Sequence, residues 1–259
     1  MTERHDYTER NRRAWNEIAT VRERAMWPDA AFFAAGGSLL DQRVRAVASE
    51  VTGHTVLHLQ CATGEETLSW AVAGARATGV DISDAQIAIA EQKARDAHLD
   101  VRFVASDIYD LPADLQQGSF DLAYTATGVL VWLPDILRWA EIVAAALKPG
   151  GRFILFEAHP LAQILWGTEG RLEIISDYFG RGVPEFDQGW GHFAGAEDAT
   201  ETKVQFSWPL GDIVTALARA GLRIASLTEY PSTAEWRFGP LLDQVSRLPG
   251  EFLLVATKA

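Results

Sequence analysis

The sequence predicts a doubly wound α/β fold built on a mostly parallel, seven-stranded sheet. Three observations carry that expectation. Residues 55–64, Thr-Val-Leu-His-Leu-Gln-Cys-Ala-Thr-Gly, read as a buried strand running into a turn of small residues and then a helix. From residue 55 to residue 160, short apolar runs alternate with stretches of helical spacing, as parallel strands joined by helical crossovers require. Polar residues stand just past successive apolar runs, at Asp81, Asp107 and Thr125.

Taken in order, Tyr7, Asn11, Trp15 and Ile18 lie about one turn apart and predict a helix over 6–24. Trp27-Pro28-Asp29 breaks it. A short helical turn at 30–35 ends at Gly36-Gly37, and a third helical stretch, 39–51, leads to Gly53. The first strand, 56–59, is mostly apolar, as a central parallel strand should be. Ala62, Thr63 and Gly64 are small enough for a ligand to approach the backbone. A helix over 65–73 follows, then a strand at 76–80 ending in Asp81, and a helix at 84–97 with Ser83 as its N-cap. Further strands are expected at 101–105, 120–124 and 152–157, with a helix over 135–147 and a sharp turn at Lys148-Pro149-Gly150-Gly151.

Periodicity fades over 161–200, which is rich in Gly and aromatic residues. It reads as an insertion covering the ligand edge of the sheet. An extended segment at 202–206, an amphipathic helix at 210–220 stopping at Gly221, and strands at 222–229 and 252–257 complete the chain, the last expected at the sheet edge. The organisation is a helical cap (1–50), a ligand-binding core (51–160 with 201–259) and the insertion (161–200).

A chain of 259 residues, 48% apolar and 22% charged, can bury a substantial core as one large domain. The net charge of −12 argues against nucleic-acid or anionic-membrane partners. Arg10, Arg12, Arg13, Arg22 and Arg24 alternate with Glu9, Glu17 and Glu23, and read as a solvated helix face. With Cys61 as the one cysteine, an internal disulfide or a thiolate metal cluster is impossible, and the six histidines show no metal-ligand spacing. A polar start and the lack of a long apolar run point to a cytoplasmic protein, monomer or homodimer, acting on a small molecule.

In open α/β sheets, ligands bind beyond the carboxyl ends of the strands. Asp81 suits a ribose diol there, because a carboxylate accepts two hydroxyl hydrogen bonds; the same acid would also cap the next helix. Asp107 suits an exocyclic adenine amine, or simply a turn. A dinucleotide fingerprint needs three glycines in the first turn, but Gln60 and Ala62 leave only Gly64. S-adenosylmethionine has no pyrophosphate to cradle, so it tolerates such a turn.

Five segments in order then carry a family resemblance. Val-Leu-His-Leu-Gln-Cys-Ala-Thr-Gly, Thr-Gly-Val-Asp-Ile-Ser, Phe-Val-Ala-Ser-Asp-Ile-Tyr-Asp-Leu-Pro, Phe-Asp-Leu-Ala-Tyr-Thr and Leu-Lys-Pro-Gly-Gly-Arg-Phe resemble the motifs of class I S-adenosylmethionine-dependent methyltransferases, with their Rossmann-like sheet. The His-Leu-Gln-Cys form, with Trp-Leu-Pro-Asp and Glu-Ala-His-Pro downstream, looks like a bacterial branch whose substrates are mostly small molecules or unassigned. The resemblance implies that Gln60, Ala62, Thr63 and Gly64 line the methionine portion of the cofactor. It places Asp81 on the ribose with Ile82 against the adenine face, Asp107 and Ile108 at the adenine edge, and Thr125 by the amino group. Tyr7 and Gln86 complete the expected cofactor contacts. Two departures stand out: His58 replaces the usual acid of the first strand, removing a carboxylate that often orients the amino group, and Gln60 replaces a glycine.

Methyl transfer needs an in-line nucleophile, and a hydroxyl acceptor usually needs a base. His159, after the fifth strand, is the candidate base, with Glu157 orienting it or binding substrate and His192 as a second choice. Trp15, Trp27, Trp166 and Trp190, with Tyr7, are candidates for an aromatic substrate cage, or for packing between the helices and the sheet. A non-catalytic cofactor-binding protein of the same fold and a nicotinamide-dependent oxidoreductase remain alternatives at this point.

Overall fold

The computed structural model describes residues 3–26, 28–190 and 193–259, so Trp27 and His192, both expected near substrate, lie outside the described residues. Helices α1 (Glu3–Met26), α2 (Ala30–Ala34) and α3 (Gln42–Ala48) precede β1 (Thr55–Leu59). The core continues through α4 (Glu65–Val72), β2 (Arg76–Asp81), α5 (Asp84–Asp96), β3 (Arg102–Ala105), β4 (Phe120–Ala126), α6 (Ile136–Ala146) and β5 (Leu147–Ala158). Next come α7 (Pro160–Gln163), the hairpin β6 (Leu165–Thr168) and β7 (Arg171–Ile174), then β8 (Glu185–Gln188) and β9 (Thr202–Gln205). The chain closes with α8 (Leu210–Arg219), β10 (Leu222–Pro231), α9 (Glu235–Phe238), α10 (Leu242–Val245) and β11 (Pro249–Lys258).

Seven strands form one sheet in the order β10-β11-β5-β4-β1-β2-β3. The five strands from β5 to β3 are parallel; β11 runs antiparallel to both its neighbours, β5 and β10, so β10 points the same way as the five. This is the expected doubly wound, Rossmann-like arrangement. Strand order reverses between β1 and β4, so the loops after them part and leave a crevice at that edge.

The apolar run of β1 follows from burial on both faces. Val56 packs in the cluster of Val44 (α3) and Trp70 (α4), whereas Leu57 and Leu59 join Trp139 (α6) and Leu217 (α8) on the other side. Ser83 caps α5 as expected, its hydroxyl accepting from the Gln86 N–H at 3.1 Å.

Two expectations need correction. The final strand, β11, is not at the edge: it lies between β10 and β5, and β10 is the edge. The continuous run Phe252–Leu253–Leu254–Val255–Ala256 is buried, whereas β10 is mostly exposed. The segment 161–200, expected to cover the ligand edge without clear elements, has elements of its own. It contains the β6–β7 hairpin and β8, which pairs with β9 in a sheet of its own. β9 holds α1 in place, because the Asn11 side chain donates to Val204 O at 2.9 Å and accepts from Val204 N at 2.7 Å. No helix among the described residues is long and apolar enough to cross a membrane.

Candidate active site

A cavity of about 280 Å³ opens where the loops after β1, β2, β3 and β4 meet beneath α1. Gln60, Ala62, Asp81, Ile82, Gln86, Asp107 and Ile108 all line it, so these seven residues, far apart in sequence, converge on one space. The cavity's roof is α1, through Thr8, Asn11, Trp15 and Arg22, and no described residue of 161–200 lines it.

Asp81 organises the floor. Its Oδ2 accepts from the Ala62 N–H at 2.8 Å and its Oδ1 from the Ser83 N–H at 2.9 Å, tying the turn after β1 to the turn after β2. Burial pushes this carboxyl up from its ordinary range, while the two N–H donors and the Arg22 guanidinium pull it down. The first turn is strained: Gln60 and Ala62 have φ of 60° and 49°, in the left-handed region. Gln60 Nε2 donates to Val129 O at 3.1 Å, linking that turn to the loop after β4. Gln60 Oε1 and Gln86 Oε1 are buried without a hydrogen-bond partner among the described residues. Such acceptors are costly to bury unmet, so they mark where a ligand's donors fit.

His58 is buried in the same wall, its Nδ1 at 2.8 Å from Thr67 Oγ1. Burial lowers it to about 3, so it is neutral. Neighbouring Glu66 accepts from the Tyr124 hydroxyl at 2.7 Å, and burial raises its carboxyl to about 7. Glu65 turns the other way. Lys93 bridges it to Glu23, at 2.5 Å from the latter, in a buried carboxylate–ammonium–carboxylate cluster that fastens α1 to α4 and α5.

His58 sets an expectation for pH. A histidine protonated less readily when folded than when unfolded stabilises the protein above its unfolded value, and that stability drains as pH falls from about 6.5 toward the folded value. At about pH 5 the loss is about 2 kcal/mol, or several degrees of melting temperature. His58→Asn should therefore lose less melting temperature than the parent protein between about pH 7 and about pH 5, and parallel curves would exclude this account.

The remaining expected site residues fall elsewhere. Gly64 has φ 84° and opens α4, but a Cβ there would sit 2.8 Å from Ala90 Cβ and from the Phe103 ring; it is needed for packing against α5, not for ligand approach. Thr63 is buried and donates to Glu65 Oε2 at 3.0 Å. Thr125 is buried, with its Oγ1 lacking a partner among the described residues, and does not line the cavity. Tyr7 packs edge-on against Phe206 at 5.6 Å, outside the lining. Trp15 lines the cavity beside Trp132, which sequence reading missed, with their rings edge-on at 5.3 Å. Trp190 is buried behind them, 4.4 Å from Trp15, as a brace rather than a wall. Trp166 lies apart, against Trp236 and under the Arg237 guanidinium.

The expected catalytic pair does not line the cavity. His159 Nδ1 accepts from the Leu161 N–H at 3.1 Å, capping α7, and its Nε2 lies 2.9 Å from Glu229 on the edge strand. The Glu157 carboxylate accepts from the Val129 N–H at 2.9 Å, the Leu130 N–H at 3.1 Å, the Ala158 N–H at 2.6 Å and the Gly128 N–H. It therefore acts by holding the loop after β4, whose Gly128, Val129 and Trp132 line the cavity. Arg22, read as solvated, also needs correction, since it lines the cavity and burial lowers its basicity. Extending the stripe of Asn11, Trp15 and Ile18 by one further turn reaches it.

Comparison with known proteins now bears on this geometry. Residues 56–151, which hold β1 through the start of β5 and most of the cavity floor, match the family described as "Methyltransferase domain". This segment is similar to a methyltransferase domain. A "Ubiquinone biosynthesis O-methyltransferase" of Bordetella pertussis is 32% identical over 108 residues, 42% of this chain and 44% of that one, so the chain spans less than half the length of this relative. A crystal structure of an S-adenosylmethionine-dependent methyltransferase from Mesorhizobium loti superposes with TM-score 0.62 at 26% identity, over 83% of this chain and 96% of that one. The geranyl diphosphate C-methyltransferase of Streptomyces coelicolor, at 16% identity and TM-score 0.61 over 98% of both chains, shares the fold. The matched segment holds most of the central sheet, while α1 and the paired strands β8 and β9, outside it, supply and brace the cavity's roof.

Proposed function

We propose that the protein is an S-adenosylmethionine-dependent methyltransferase that acts on a nitrogen or oxygen of a small molecule. The observation that carries this reading is the meeting of Asp81 with the unmet acceptors Gln60 Oε1 and Gln86 Oε1 in one cavity. An adenosyl group offers the matching donors: two ribose hydroxyls and an exocyclic amine. Asp81 keeps lone pairs beyond its two backbone donors for the hydroxyls, and Gln86 or Asp107 can accept from the amine. Ile82 and Ile108 give apolar surface for a flat base. When bound, S-adenosylmethionine supplies an electrophilic methyl group on a sulfonium sulfur.

The chain's own residues position the acceptor and exclude water. Trp15 and Trp132 offer aromatic faces to it, held by Trp190 behind them and by Glu157 through the loop after β4. Well-oriented reactants can contribute about 7–11 kcal/mol toward the barrier. A small acceptor suits a cavity of about 280 Å³ roofed by α1, and an acidic chain suits no polyanion. Kinship with an O-methyltransferase supports a hydroxyl acceptor over an amine.

The test incubates the protein with methyl-labelled S-adenosylmethionine and a panel of phenols, catechols and amines, alongside calorimetry with S-adenosylhomocysteine and NAD. Label should move to a hydroxyl compound, and S-adenosylhomocysteine should bind where NAD does not. Binding without transfer to any member would favour a non-catalytic cofactor binder, and NAD binding alone would overturn the reading.

A further inference from the structure

The cavity carries a carboxylate whose role the adenosyl contacts do not explain. Asp81 and Asp107 stand on the β2 and β3 side of β1. Glu66 reaches the cavity from the first turn of α4, and its hydroxyl partner, Tyr124, belongs to β4 on the other side of β1. The two acidic ends therefore lie across β1 from one another.

Glu65 and Glu66 are adjacent on a helix, so their side chains leave about 100° apart. Glu65 finds Lys93. Glu66 has a neutral hydroxyl, and no ion pair of its carboxylate is formed among the described residues. His58 beside it is buried and bonded to Thr67, and supplies no positive charge. The Arg22 guanidinium in the roof faces Glu65, Asp81 and Glu23. A carboxylate held against a cavity without a cation is disfavoured unless a ligand brings one.

We propose that Glu66 binds the ammonium group at the methionine end of the cofactor, the task left open by a neutral His58 on β1. This deepens, and rests on, the S-adenosylmethionine reading. Glu66 is then a specificity residue. It separates adenosyl thioethers that carry an α-ammonium from those that do not, and the Tyr124 hydroxyl fixes its orientation.

Three ligands test this by calorimetry: S-adenosylhomocysteine, its desamino analogue with hydrogen in place of the ammonium, and 5′-methylthioadenosine, which lacks the amino-acid end. The parent protein should prefer S-adenosylhomocysteine to the desamino analogue by about 10- to 100-fold, the range of a hydrogen bond between charged groups. In Glu66→Gln that preference should shrink to a few-fold, with methylthioadenosine affinity unchanged as proof of an intact cavity. Equal affinity of the parent for the first two ligands, or a full preference retained in Glu66→Gln, overturns the proposal while the cofactor reading stands. Failure of the parent to bind any of the three overturns the cofactor reading itself. If Glu66→Gln loses methylthioadenosine binding as well, the parent's preference between the first two ligands decides: a tenfold gap supports the proposal and its absence overturns it.

Discussion

Asp81→Ala should weaken S-adenosylhomocysteine binding by about 100-fold or more, the largest effect expected of any single change in the cavity floor. Two losses combine. The hydroxyls of a ribose lose a charged acceptor worth about 1.5–3 kcal/mol for each bond. The N–H groups of Ala62 and Ser83 lose the oxygens that hold them at 2.8 Å and 2.9 Å, so the turns after β1 and β2 are no longer tied together. Asp81→Asn separates the two effects. It keeps one acceptor for the backbone but turns an amide N–H₂ toward the other donor, so its binding should fall nearly as far with a smaller drop in melting temperature. Calorimetry and thermal unfolding of both variants measure this, and unchanged affinity in Asp81→Ala would refute the ribose assignment.

Lys93→Met should cost about 3–5 kcal/mol of folding stability, because it leaves Glu23 and Glu65 facing each other without the ammonium between them. Lys93 is 6% exposed, so solvent cannot replace it. Burial already raises the Glu65 carboxyl, Lys93 pulls it down, and Glu23 raises it further. Removing Lys93 raises it more. A folded value above the unfolded one gives stability that is present below about pH 4.5 and lost as pH rises through the folded value, so the deficit should be largest near neutrality and shrink in acid. Lys93→Met with Glu65→Leu should recover much of the loss, since an apolar replacement removes the stranded charge. Thermal unfolding across pH checks both. A deficit that grows as pH falls would contradict the account. Because the same cluster fastens α1, the cavity's roof, Lys93→Met should also weaken ligand binding.

The parts legible in the sequence are those fixed by local chemistry. Ser83 reads as a cap because its hydroxyl meets an N–H three residues on, and it does so here. The central strand β1 was legible because burial on two faces leaves it a mostly apolar run. Gln60, Ala62, Asp81 and Asp107 share one cavity because a parallel sheet sends each strand's end to one rim.

The misses share a different cause. His159 stands at the end of a strand, as a catalytic base should, yet Glu229 lies across from it on β10, a pairing of residues 70 positions apart. Glu157 reads as reactive but is consumed by the N–H groups of the loop after β4. Gly64 reads as a ligand contact, but Ala90 and Phe103 occupy the space beside it.

Sequence by itself determined where most strands and helices of the core lie and toward which rim the strand ends point, because strand periodicity, caps and turn residues act within a few positions of one another. Tertiary structure alone decided which element roofs the cavity, which carboxylates are spent on backbone or on Lys93, and that Glu66 reaches the cavity with no ion pair among the described residues. Those outcomes depend on the burial and pairing of charges brought together from distant parts of the chain, and no local pattern encodes the energy of such a meeting.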